Sequence, residues 1–72
     1  MKLLTAIKKA KEITEKSNDA IECFVKRNAH LNERWVDAPW IFIYGTLIHI
    51  DGKFKLEDLF AKDWGIEKES VE

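Results

Sequence analysis

Cys23, His30 and His49 are the only side chains in the sequence that could act as soft metal ligands or as a thiol with its base near neutral pH. A tetrahedral zinc site takes four ligands, commonly in closely spaced pairs, and these three are one short and lack paired spacing. No histidine stands near Cys23 in the chain to draw off its proton, so the thiol reads as a small core residue and not as a nucleophile. His49 reads as a partly covered strand histidine. Among the acids, Asp58 and Asp63 stand five apart around a short helical stretch, which does not make a convincing acid and base pair, and Glu57-Asp58 is better explained as acids stabilising a helix start. No GxSxG, HExxH, phosphate loop or dinucleotide fingerprint occurs. The sequence thus assigns no catalytic residue, no metal and no cofactor, and an enzyme is the weaker functional class.

Whatever chemistry these residues do must be positioned by a small body. The chain has 72 residues and 46% hydrophobic side chains, with three Trp and four Phe. That is too apolar for disorder and too short for two domains, so residues 1–72 read as one. Cores below about 70 to 80 residues are marginal without a disulfide, a metal or a partner subunit. One cysteine excludes an intrachain disulfide, the soft ligands are too few for a metal, and self-association is the remaining support. No stretch approaches about 18 uninterrupted apolar residues, and MKLLTAIKKAKE alternates charge with apolar positions where a signal peptide would be apolar. A protein outside the membrane, in a reducing compartment, is expected. The net charge is −1, graded from +3 over residues 1–17 through −1 over 18–50 to −3 over 51–72. This asymmetry is too mild to announce a nucleic-acid binder.

Leu3, Ala6, Ile7, Ala10 and Ile13 recur at three- and four-residue steps, with Lys8, Lys9, Lys11, Glu12, Glu15 and Lys16 between them, which predicts an amphipathic helix over 2–16. Its charge run reads as a solvated face with pairs four apart. From Ala20 to Arg27 the period becomes two, with Ile21, Cys23 and Val25 facing the helix and Glu22, Phe24 and Lys26 facing away. Phe24 interrupts that polar face and makes it a plausible partner surface. Asn28 to Pro39 reads as a loop of about a dozen residues, a length often tied to function. WIFIYGTLIHIDGKFKL then predicts a meander with turns at Gly45-Thr46 and Asp51-Gly52, in which Tyr44 opposes Leu47, Phe42 opposes His49 and Ile41 opposes Ile50. LEDLFAK predicts a short helix over 56–62 with Leu56, Leu59 and Phe60 on one side. A short strand at 64–66 and a frayed, charged tail at 67–72 complete the order α-β-β-β-α-β. The expected fold class is α+β, a small antiparallel sheet of about four strands with an N-terminal amphipathic helix and a short C-terminal helix.

The segment FKLEDLFAKDWGIE, 54–67, resembles the closing signature of a family of small phage and bacterial proteins, the Thoeris anti-defence proteins of the second type. Glu57, Asp58, Leu59, Ala61, Asp63 and Trp64 match its Glu-Asp-Leu-Leu-Ala-x-Asp-Trp pattern, and Lys26-Arg27 match the basic end of its first strand. The family continues with a Gly-Trp-Asn segment where this chain has NAHLNERW. The resemblance implies a homo-oligomer, a tetramer in characterised members. Such a protein sequesters a cyclic nucleotide immune signal, of the glyco-cyclic ADP-ribose or cyclic dinucleotide class, without cleaving it. It also implies pockets between subunits and a place in the cytoplasm of the infected host.

Such a ligand needs flat surfaces for adenine and fixed donors for its phosphates. Arg27 and Asn28 at the end of strand one, Trp35 in the long loop and Tyr44 on strand two are the candidates, Arg27 because its planar fork meets two oxygens at once. Trp35 can equally pack, and for Trp40 packing in the sheet or between subunits is the favoured reading. Asp58, Asp63 and Trp64 read as structural, Trp64 as core and Asp63 as a turn or cap residue. The alternative is a small non-enzymatic phage accessory protein that binds a host protein or nucleic acid. A nucleic-acid module would use Lys8, Lys9, Lys11, Lys26 and Arg27 with stacking on Trp35 and Tyr44, but the acidic C-terminal third opposes it.

Overall fold

The computed structural model describes residues 1–16, 21–28 and 38–70. Its elements are helix α1 (Leu3–Lys16), strands β1 (Ile21–Arg27), β2 (Trp40–Tyr44) and β3 (Leu47–Asp51), helix α2 (Leu56–Phe60) and strand β4 (Trp64–Ser70). The sheet order is β3-β2-β1-β4, and every neighbouring pair is antiparallel. This is the α+β architecture expected. The long loop falls almost wholly in 29–37, outside the described residues, and Trp35 and His30 lie there with it.

α1 lies on one face of the sheet. Ala6 and Ala10 are buried completely against Cys23, Val25, Ile41, Ile43 and Trp64, and Leu3, Ile7, Ile13, Ile21, Phe54 and Ile66 close around them. Two alanines at four-residue spacing let the helix backbone approach the sheet closely, while the larger residues of the stripe reach around the sides. The thiol of Cys23 is fully enclosed in this layer, and burial raises its pKa, opposed by Lys68 directly across in β4.

The β2–β3 hairpin turns at Gly45-Thr46 in the expected register. Gly45 has φ +63, a conformation that costs L-residues with a side chain, and its N–H donates to the Thr14 hydroxyl at 2.9 Å, tying the turn to α1. The second expected hairpin does not form. Asp51-Gly52 ends β3 with φ +83 at Gly52, but an irregular stretch and α2 follow instead of a strand. Gly52 answers a different demand there, since a Cβ on it would stand 2.3 Å from the Ala38 carbonyl oxygen.

The charged C-terminal stretch is the larger correction. Where a frayed tail was expected from Glu67, β4 runs to Ser70 and pairs with β1 over its full length, from Arg27↔Trp64 to Ile21↔Ser70. Alternate residues Ile66 and Lys68 share the helix side with Val25 and Cys23, and Glu67 and Glu69 face outward opposite Phe24 and Glu22. An edge strand tolerates that much charge because Lys68 reaches water on the helix side and Glu67 pairs with Lys26 on the other. α2 is also turned unexpectedly. Its apolar residues Leu56, Leu59 and Phe60 are exposed, and the residue it buries is Asp58.

Candidate functional site

At the end of β1 the chain builds a hydrogen-bonded polar corner. The Arg27 guanidinium donates through Nη1 to Asp58 Oδ1 at 2.7 Å and through Nε to Asp63 Oδ1. The other oxygen of Asp58 accepts the Lys55 N–H at 2.8 Å, which starts α2. The Trp64 indole N–H donates to the Asp58 carbonyl at 2.8 Å, and the Asn28 N–H donates to the Asp63 carbonyl at 2.8 Å. The Trp64 N–H donates to the Met1 carbonyl at 3.0 Å, joining the start of the chain to the same corner. The hydrogen bond from Arg27 holds the Asp63 carboxyl below the usual carboxylate range, and that same bond raises the arginine above its ordinary value.

The corner gathers Arg27, Asn28, Asp58, Asp63 and Trp64, five of the seven residues singled out in the sequence. Trp64 is 1% exposed and stacks on Phe54 with ring centroids 6.0 Å apart, as a core residue would. Arg27, expected to bind ligand, donates through Nε and Nη1 to two carboxylates of its own chain. Tyr44 is not part of the group. It stands four residues beyond Trp40, the residue opposite Lys26, and therefore about 13 Å along the sheet from that end.

The sheet face away from α1 carries a second group that sequence reasoning reached only in part. Phe24 packs against Trp40 (5.7 Å, 60°) and Phe42 (5.5 Å, 57°), and Trp40 meets His49 (5.7 Å, 50°). Phe24, Phe42 and His49 form one row across β1, β2 and β3, with Glu67 of β4 at its end. The three aromatic rings are half-buried, and His49 and Tyr44 are exposed. Lys26 shares this face and is buried, with Nζ 3.5 Å from Glu67 Oε2. The available signal was period two in β2, which puts Trp40, Phe42 and Tyr44 on the side that Phe24 occupies in β1.

Tilted rings at these separations offer edges and faces on which a planar heterocycle can stack. The exposed imidazole of His49 supplies an N–H donor at one margin of the rings, and Glu67 and Glu69 put negative charge at the other. Each margin of the rings thus holds a donor beside an acid, His49 next to Asp51 on β3 and Lys26 next to Glu67 on β4. Among the described residues no group of three or more His, Cys, Asp or Glu is placed to hold a metal ion. Among them, too, no helix is long and apolar enough to cross a membrane. No protein-family profile, curated protein or solved structure matches the chain.

Proposed function

We propose that this protein is a non-enzymatic, self-associating binding protein of the anti-defence kind. It takes up a cyclic nucleotide signal, of the glyco-cyclic ADP-ribose or cyclic dinucleotide class, and holds it intact. The observation that carries this reading is the half-buried cluster Phe24, Trp40 and Phe42 with His49 at its margin, a stacking surface on the open face of the sheet. Base stacking on such residues contributes about 1 to 3 kcal/mol per base and accepts any base. The exposed His49 imidazole, beside Asp51, supplies a donor at the β3 margin of the rings. Arg27, Asp58, Asp63 and Trp64 fix the end of the sheet and do not touch the ligand.

A single-stranded nucleic acid would use similar rings but needs a cationic track for its backbone, and the acids of β4 flank this face. A protein partner is the second reading. It is favoured by the exposed Leu4, Leu59 and Phe60, which line a cleft between the first turn of α1 and α2 rimmed by Lys2 and Lys62.

Calorimetric titration with a panel of cyclic ADP-ribose-type and cyclic dinucleotide ligands tests the proposal. Micromolar or tighter binding that weakens in Phe42→Ala, with chemically intact ligand released on heating, is the expected result. No heat across the panel, or a cleaved product, removes it in favour of the protein-partner reading.

A further inference from the structure

β3 is an edge strand whose five residues are all exposed, Leu47 by 62%, Ile48 by 55% and Ile50 by 59%. Among the described residues no strand stands beyond it. Its hairpin loop has two residues, so the flanking pair Tyr44 and Leu47 is hydrogen-bonded and the pairs alternate from there. Leu47, His49 and Asp51 therefore direct their backbone groups to β2, while the N–H and C=O of Ile48 and Ile50 point to the open edge. Natural edges are commonly blunted with lysine, proline or inward charge, and LIHID carries neither Lys nor Pro. Ile48 and Ile50 face the α1 side, opposite the buried Ile43 and Ile41, yet remain exposed beyond the helix.

We propose that a second copy of this chain pairs with β3 edge to edge, antiparallel about a two-fold axis through His49, to give one continuous eight-stranded sheet. This rests on the self-association proposed above and assigns its surface. The strand is self-complementary in that register. Ile48 meets Ile50 of the partner subunit twice over, in hydrogen-bonded pairs, and the apolar row of the helix side runs unbroken across the dyad.

On the opposite face His49 meets its counterpart. Each imidazole lies between its own Asp51, with Nε2 3.7 Å from Oδ2, and Asp51 of the partner subunit on the diagonal, so acids bracket the two rings. The pairing covers Ile48 and Ile50, which are 55% and 59% exposed in the single chain. The pairing joins the two aromatic faces through Trp40 and His49 and places a bound nucleotide at the subunit boundary.

Cysteine substitution reads this register directly. The two copies of position 49 form a directly opposed, non-hydrogen-bonded pair with Cα atoms about 4.5 Å apart, within the roughly 4.4 to 6.8 Å of disulfides. The two copies of position 47 are separated by about 13 Å along the strands. His49→Cys should become a covalent dimer under mild oxidation at low micromolar protein, and Leu47→Cys should not. Cys23 is completely buried and does not compete. In parallel, Ile48→Pro removes an outward N–H without touching the β2 ladder, and Ile50→Lys places charge in the seam. Both should sediment at 8.4 kDa with an unchanged far-UV spectrum, while the parent sediments at twice that mass or a multiple of it. A parent that self-associates although His49→Cys links no better than Leu47→Cys overturns this edge and leaves the self-association standing. A parent that sediments as a folded 8.4 kDa species at high micromolar concentration overturns both.

Discussion

The two margins of the sheet are built on opposite rules. Where β1 meets β4, Arg27, Asp58, Asp63 and Trp64 satisfy one another, and Trp64 and Asp58 are almost entirely enclosed. At β3, five consecutive residues are exposed, no strand among the described residues pairs with the outer edge, and the neighbouring aromatic face is only half covered. A hydrogen-bonded corner gives up little by staying closed and much when a member is removed. An open edge gives up little when altered but gains when something docks. The difference sets Arg27, Asp58, Asp63 and Trp64, which hold one another, apart from the half-covered rings on the β3 side, where the proposed recognition would take place.

The sharpest break in this comparison is Trp64→Ala. It should cost about 3 to 5 kcal/mol in urea unfolding, from the cavity and the orphaned Asp58 carbonyl. A variant that melts normally but has lost nucleotide binding would move Trp64 across to the functional side. Asp58→Ala comes next, at about 3 kcal/mol, the low end for stripping one partner from a buried ion pair. Arg27→Ala should cost about 1.5 to 3 kcal/mol, and its folded fraction should retain the parent's nucleotide affinity. Loss of affinity with stability unchanged would instead restore Arg27 as a phosphate ligand.

On the open side, Trp40→Ala should weaken nucleotide binding by about 1 to 3 kcal/mol in calorimetry and leave cooperative unfolding intact. The smallest effect is an acid one. Arg27 depresses the Asp63 carboxyl, so the unfolded chain takes up that proton at higher pH than the folded one. The stabilisation is complete above the unfolded value near pH 3.9 and is lost as pH falls through the lower folded value. Asp63→Asn should flatten that acid limb of a stability-against-pH curve by less than about 1 kcal/mol, since its side chain is 39% exposed and screened.

Much of the fold was legible because short-range patterns decide it. The three- and four-residue spacing of Leu3 to Ile13 placed α1, and strict alternation from Ile21 to Val25 placed β1 and its helix-facing side. The β2–β3 register followed from the two-residue turn at Gly45-Thr46. The failures are tertiary. Glu67, Lys68 and Glu69 have poor strand propensity, and only pairing with the full length of β1 makes them β4. Asp51-Gly52 supplies a left-handed glycine, but the close approach of the Ala38 carbonyl uses it in place of a hairpin. In α2 the apolar residues point outward because Asp58 is drawn inward by Arg27, from 31 positions away, a link no local pattern contains. The candidate site divided along the same line. Trp40, Phe42 and Tyr44 could be put on one side by parity, whereas the commitment of Arg27 to two carboxylates required the structure.

The central claim is retention of an intact cyclic nucleotide by a self-associated protein, and native mass spectrometry of the protein purified from cells that make such signals tests it most directly. The account predicts a multiple of 8.4 kDa carrying the added mass of a whole cyclic nucleotide in fixed ratio to subunits. An unliganded 8.4 kDa monomer, or an adduct with the mass of a linear hydrolysis product, would contradict it.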